Sequence, residues 1–392
     1  FGLVSGSTLS FIAIYAARLG ATGLQVGLLS AGPAAINMLF SLPLGRWLER
    51  QPLAQVNVWG ALWSRLGYLL LLVLPVTLGN TMQIWVMVLL SLALSVPGTV
   101  LNIGFNAMFA GVVPPDWRAE VIGKRNALSA VSSMTALLIC GQILDRVPFP
   151  LNYQIVFGVG WLGAMLSVYH LTRIRVEGQE PERFRLSDWR QAGQTILGKL
   201  SSGMQWSLPD RNKFLRLDVL RGPFGRFLAA YLLFYTFQYV PIPLFPIYLV
   251  HDLGLRDGDI GLGTAIFQLM ITGTSLFLGR AAGRISHRKQ LIASALVFGQ
   301  YPLLLYLARD AGLYWLASVI GGVIFAVLSV GLLNRLMERV PEGDRPAHMA
   351  LHNLVFNMGI LVGSLAGPML GGWIGLRQAL LVSAGLRVVS GV

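Results

Sequence analysis

The chemistry available to this chain starts with its charged and coordinating residues. His348 and His352 stand four apart, the spacing that lets two imidazoles share a metal on one helix face, but no carboxylate or thiol accompanies them in their apolar segment. Metal binding is therefore not expected. Cys140 is the only cysteine, so neither an intramolecular disulfide nor a thiolate cluster can form. Gly158-x-Gly160-x-x-Gly163 has the form of a dinucleotide fingerprint, yet it lies inside an apolar run with no strand before it. No nucleophile, base and acid share a segment, so neither catalytic residues nor a cofactor are expected. What remains is a set of uncharged polar and aromatic side chains within apolar runs, suited to holding a neutral or amphipathic molecule by hydrogen bonds and ring faces.

The segments that must position these groups follow from composition. Of 392 residues, 55% are hydrophobic and 12% charged, against about 25% charged in a soluble domain. Apolar runs lie at 3–17, 24–44, 56–77, 82–108, 127–144 and 151–172, then at 224–250, 260–282, 290–308, 312–333, 349–372 and 378–392. Each is near the ~20 residues that cross a hydrocarbon core as a helix. The sequence predicts an all-α polytopic membrane protein with 12 transmembrane helices in two six-helix bundles, 1–173 and 223–392. Between them, 174–222 reads as a cytoplasmic linker with amphipathic helices. The net charge of +13 does not point to nucleic acid, because the basic residues fall between apolar runs and not on one face. They concentrate in alternate loops, at Arg46 and Arg50, at Arg118, Lys124 and Arg125, through the linker, and at Arg280 to Lys289. The positive-inside rule puts those loops, the linker and the N-terminus in the cytoplasm, with the plasma membrane as the expected location.

The halves repeat each other. Tyr15, Gly20, Gly27 and Gly45 match Tyr248, Gly254, Gly261 and Gly279, and Val113-Pro114, Arg118 and Asn126 match Val340-Pro341, Arg345 and Asn353. Between spans two and three the chain reads Gly45-Arg46-Trp47-Leu48-Glu49-Arg50, and between eight and nine Gly279-Arg280-Ala281-Ala282-Gly283-Arg284. With the repeat, these loops resemble the signature of the major facilitator superfamily across the whole chain. The resemblance implies a secondary transporter whose halves rock about a midplane cavity. It also implies a cytoplasmic latch of Gly45, Glu49, Arg50, Gly279 and Arg284, with Glu49 facing the start of span eleven. From the cavity-lining spans of the family and their neighbours, the candidate solute residues are Ser10, Asn37, Thr99, Asn102, Tyr235, Gln238, Gln268 and Asn357.

Gly363, Gly367, Pro368 and Gly371 in span eleven read as close helix packing with a kink. Pro241, Pro243 and Pro246 are expected to break span seven and shape an outer gate. Two charges, Arg65 in span three and Arg387 in span twelve, would each cost about 2.5–3.5 kcal/mol facing lipid and so require a partner in the protein, a headgroup or another subunit. None of the 17 acidic residues falls within an apolar run, so transport without a midplane proton carrier is expected. The expected protein is a monomer in the lipid bilayer that moves a small neutral or amphipathic solute. A lipid or drug exporter is the second reading. A scaffold subunit that meets a membrane-protein partner through Arg65 or Arg387 is the third.

Overall fold

The computed structural model describes residues 1–48, 51–174, 220, 222–280, 287–340 and 345–391. Glu49, Arg50, Arg284 and nearly all of the predicted linker lie outside the described residues. Among the described residues, twelve helical spans follow the twelve apolar runs. The first, α1, runs as Gly2–Val4, a π-helical stretch Ser5–Leu9 and Ser10–Arg18. It is followed by α2 (Gly23–Leu48), α3 (Leu53–Thr77), α4 (Asn80–Val112), α5 (Pro115–Arg146) and α6 (Leu151–Leu171). The second half opens with α7, which runs Pro223–Tyr239, breaks, and resumes as Leu244–Ile247 and a π-helical Tyr248–Asp252. Then come α8 (Asp257–Arg280), α9 (His287–Phe298 and Gln300–Leu307), α10 (Ala311–Arg339), α11 (Arg345–Ile374) and α12 (Leu376–Val389).

Among the described residues, ten helices are long and apolar enough to cross a membrane. The other two are α1, split by its π-helical stretch, and α12, only 14 residues long. One boundary differs clearly from the apolar pattern. α5 begins at Pro115, well before its run at 127, because a proline at the first helical position and Asp116 in the first turn start a helix that needs no apolar residues.

Within the first half, α1 packs on α5 and α6, α3 on α4 and α6, and α2 on α4; within the second, α7 packs on α11, α8 on α10, and α9 on α10 and α12. Three pairs join the halves: α2 with α11, α5 with α8, and α1 with the outer part of α7. The internal repeat explains these pairs. Gly20 and Gly254 both have positive φ, 85° and 60°, a conformation open to glycine without strain, and each turns the chain out of the first helix of its half. The matched Gly27 and Gly261 lie where α2 crosses α11 and α8 crosses α5. A Cβ on Gly27 would come within 2.5 Å of the Ser364 carbonyl oxygen, and one on Gly261 within 3.2 Å of the Leu137 carbonyl oxygen.

The predicted packing stripe on α11 is a contact with α7. Cβ atoms on Gly363 and Gly367 would lie 2.4 Å from the Thr236 carbonyl oxygen and 1.9 Å from that of Val240. Gly371 continues the stripe against Leu244, while Pro368, on another face of α11, meets Gly23 and Gly27 of α2. Replacing Gly367 with Ala should therefore cost about 1–3 kcal/mol through overpacking. Gly372→Ala, where the added carbon meets nothing within 4 Å, is the control and should leave the melting temperature in detergent unchanged.

Candidate functional site

The two ends of the assembly differ. At the end away from the linker, charged groups tie the halves together. Arg18, at the end of α1, donates from Nε and Nη2 to Asp257 Oδ1 at 3.0 and 2.9 Å, and from Nη2 to the Leu255 carbonyl at 2.5 Å. Tyr153 of α6 donates its hydroxyl to Asp257 Oδ2 at 2.8 Å, so both carboxylate oxygens of this residue of the second half are held by the first. Asp257 is 8% exposed. The reverse reach comes from Asp145 of α5, whose Oδ1 accepts the Gly258 N–H at 2.9 Å. That N–H is an unpaired donor of the first turn of α8, where a carboxylate also meets the positive end of the helix dipole. A recess of about 290 Å³ sits over this cluster, lined by Arg18, Asn80, Phe149, Asn152, Tyr153 and Asp257.

Below the charges, α5 and α8 touch through backbone. Gly141 faces Gly258 so closely that a Cβ on Gly141 would lie 3.2 Å from the Gly258 Cα. Towards the linker side the helices part around a cavity of about 230 Å³ lined by Ser5, Asn126, Ser129, Ala130, Ser133 and Gln268. Residues 120–128 of α5 are then exposed around the whole helix, as are Leu276 and Phe277 of α8. The contact between these helices is closed at one end and open at the other.

The cavity wall is built by α1 as well. A Cβ on Gly2 or Gly6 would approach the Ser129 or Ser133 carbonyl oxygen to 2.4 or 2.1 Å, so α1 lies almost backbone to backbone on α5. The π-helical stretch Ser5–Leu9 falls at this contact. Such one-turn irregularities recur at functional sites because they re-aim side chains. The fingerprint-like glycines are packing surfaces: Gly160 of α6 meets Thr8 and Ser7, and Gly163 meets Leu3.

Of the eight residues proposed from sequence for the cavity, Gln268 lines it. Thr99 donates to Asn37 Oδ1 at 2.5 Å, joining α4 to α2. Tyr235 hydrogen-bonds His352 Nε2 at 3.2 Å, and its ring packs against Phe356 at 4.8 Å. Ser10 donates to the Ser5 carbonyl, Asn357 to the Asn353 carbonyl, and Asn102 accepts from Asn106. Gln238 is buried, its Nε2 without a partner. Gly45 stands in open space on α2. Arg65 is half-buried in α3. Arg387 is 1% exposed and has its partners inside the chain: its Nη2 donates to the Gln238 carbonyl at 2.7 Å, and its guanidinium lies 4.6 Å from the Phe298 ring centre.

Two groups of site residues escaped the sequence reading. The polar stripe Asn126, Ser129 and Ser133 falls at i, i+3 and i+7, which marks one helix face, but most of α5 was read only as an apolar run. Arg18 and Asp257 lie at the ends of apolar runs, where a charge reads as part of a loop, and Asp145 follows the fifth run closely enough to border a water-filled vestibule. Nothing local says that three helix ends converge. Among the described residues no group of three His, Cys, Asp or Glu stands close enough to hold a metal ion.

A family model described as Major Facilitator Superfamily matches residues 1–220 and 227–392. The chain belongs to this superfamily. It is an integral, multi-pass membrane protein of a transporter family. Among curated relatives, it is 28% identical over 139 residues to the transcription regulatory protein OpdE of Pseudomonas aeruginosa, covering 35% of this chain and 33% of that protein. It is 25% identical over 118 residues to the quinolone resistance protein NorA of Staphylococcus aureus, covering 30% of each. The matches thus span about a third of these relatives. Among solved structures, a point mutant of the nucleoside transporter NupG superposes with a TM-score of 0.70 at 12% identity, covering 99% of this chain and 94% of that one. The xylose transporter XylE from E. coli, in an inward-open conformation, gives 0.65 at 13% identity, covering 98% and 94%. At these identities the likeness shows the fold.

The charge cluster generates a test. Asp257→Asn removes the charge that Arg18 meets, and exchanging the two residues (Arg18→Asp with Asp257→Arg) restores it. In a Cys140→Ala background carrying Leu255→Cys, at a position now 6% exposed, thiol labelling should accelerate several-fold in Asp257→Asn. The exchanged pair should return it towards the parent rate, and labelling that ignores both changes would remove the cluster's role in closure.

Proposed function

We propose that this protein is a membrane transporter that carries a small, neutral or amphipathic organic solute by alternating access, and that it acts without enzymatic chemistry and as a monomer. The observation that carries the reading is the parting of α5 and α8 around a cavity of serine, asparagine and glutamine side chains, below an end closed by Arg18, Tyr153, Asp145 and Asp257. Amides and hydroxyls both donate and accept hydrogen bonds, so they recognise hydroxyl, amide or ring-nitrogen groups on a solute without selecting for charge. With the basic loops and the linker in the cytoplasm of a plasma membrane, the open side is the inner one.

A lipid or drug exporter is the second reading, and the similarity to a quinolone resistance protein favours it over the scaffold. The case for a partner subunit through Arg387 weakens, because that side chain is turned into its own half. The carboxylates that join the halves are bonded to Arg18, Tyr153 and the Gly258 N–H. Transport without proton coupling rests on the sequence, in which no acidic residue falls within an apolar run.

Three probes separate the solute classes: a nucleoside, D-xylose and a quinolone, each added to purified protein in a thermal-shift assay. One of them should raise the melting temperature, and Gln268→Leu should weaken that ligand roughly fivefold to tenfold, the effect of losing one net hydrogen bond of about 1 kcal/mol. In proteoliposomes its flux should saturate and reach equilibrium without a pH gradient. Uptake against a gradient that collapses with the pH difference would sink the uncoupled mechanism.

A further inference from the structure

α7 is the helix whose inner part packs on α11 and whose outer part closes on α1, with a break between. The break frees backbone carbonyls. Phe237 has Pro241 four residues on, which carries no N–H, and the N–H of Ile242, which would normally pair with the Gln238 carbonyl, goes to Tyr239 at 3.3 Å. Inside a membrane protein such groups need donors from elsewhere, because no bulk water reaches them. The donor at Gln238 comes from the other side of the half. Arg387 of α12 gives Nη2 to that carbonyl at 2.7 Å.

The placement of Arg387 is fixed on several sides. Its guanidinium lies against the rings of Phe298 and Phe245, at 4.6 and 5.9 Å from their centres, and Phe245 belongs to the α7 segment just beyond the break. One side chain therefore holds both parts of the broken helix, the inner part by a hydrogen bond and the outer part by a ring face. No ion pair involving Arg387 occurs among the described residues, and its Nε and Nη1 have no hydrogen-bond partner. A full positive charge is thus buried with spare donors next to a break that releases two carbonyls. A guanidinium suits this place better than an ammonium, since it is planar, less strongly hydrated and able to donate to one group while stacking on another.

We infer that Arg387 is a positioning residue of the transport gate: it caps the carbonyls released by the break in α7 and sets the angle at which the outer segment closes on α1. The inference rests on reading α7 as a gate, and goes beyond it by making α12, a helix with no cavity residue, the support of that gate. The spare Nε and Nη1 let the guanidinium remain bonded as α7 changes its bend, with the Phe237 carbonyl as the second acceptor. Arg387 works through α7 and touches no solute.

The test is a double-mutant cycle with Pro241. Pro241→Ala returns an N–H that can pair with the Phe237 carbonyl, and a helix continued through residue 241 lets the Ile242 N–H turn from Tyr239 back to the Gln238 carbonyl, the group that Arg387 now caps. Arg387→Met alone should lower the melting temperature in detergent, and Arg387→Met with Pro241→Ala should recover most of that loss. Additive losses would mean that Arg387 only fills space, and would overturn the proposal. The gate is read separately by spin labels at Thr77→Cys and Arg309→Cys, one in each half at the end away from the linker, in a Cys140→Ala background. Arg387→Met should broaden the inter-label distance distribution towards longer values, and Arg387→Lys, which keeps one charged donor, should narrow it again. If Arg387→Met does not fold, Arg387→Lys and Pro241→Ala complete the cycle in its place. Distances that stay unchanged while the melting temperatures couple would keep the cap and refute its control of the gate. Failure of the transport reading would instead appear as absent solute flux with both couplings intact.

Discussion

A carboxylate from each half reaches into the other at the same end of the molecule, and the arrangement of the remaining helices depends on that exchange. Asp257 is gripped by Arg18 and Tyr153 of the first half, while Asp145 of the first half caps the start of α8 in the second. An exposed ion pair is worth at most about 1 kcal/mol. Here Asp257 is buried and both its oxygens are bonded, which raises the cost of separating the halves without first supplying water. The glycine contacts just below, Gly141 on Gly258 and Gly261 on Leu137, bring the two backbones together at the same end as the charges. Closure at this end is therefore one cooperative unit of charge and backbone, and its loss opens a route to the cavity from that side.

The second constraint is the way α11 is placed. Its Gly363, Gly367 and Gly371 lie on α7, and its Ser364 and Pro368 lie on α2. A helix clasped so closely on two faces cannot bend freely, so movement of the first half must pass through it as a rigid lever or slide along it. The pseudo-symmetric contact of α5 with α8 is close at one end, where Gly141 meets Gly258 and Gly261 meets Leu137, and parts around the cavity towards the other. The asymmetry gives a physical account of how one structure can be tight on one side of the interface and open on the other.

Much of the fold was legible because hydrocarbon leaves a chain few options. Twenty apolar residues without partners for their backbone must become a helix, so each apolar run became helical among the described residues, and the repeated Gly20 and Gly254 marked the turns of two similar halves. The break in α7 was legible from Pro241, Pro243 and Pro246. The site was read less fully. Gln268 lines the cavity, whereas Thr99 and Asn37 spend their polar groups on each other, and a polar residue within a span does not announce whether it faces solute or a neighbouring helix. The interhelical charges were out of reach for a different reason: Arg18, Asp145 and Asp257 lie far apart in sequence, and only packing brings them together.

The buried cation bears on what the protein can carry. Arg387 is held by a carbonyl and two ring faces, with its Nε and Nη1 unpartnered and no ion pair among the described residues, and it sits behind α7 away from the serine and amide wall of the cavity. The cavity wall itself is lined by Ser5, Asn126, Ser129, Ala130, Ser133 and Gln268, none of them charged. A charged solute entering there would give up hydration without meeting an opposite charge, a loss of several kcal/mol that hydrogen bonds to neutral groups do not restore. A neutral solute gives up only hydrogen bonds to water, which hydroxyls and amides return nearly one for one. On the proposed reading, selection against charge requires no dedicated filter at this cavity, because none of the described residues that line it is charged.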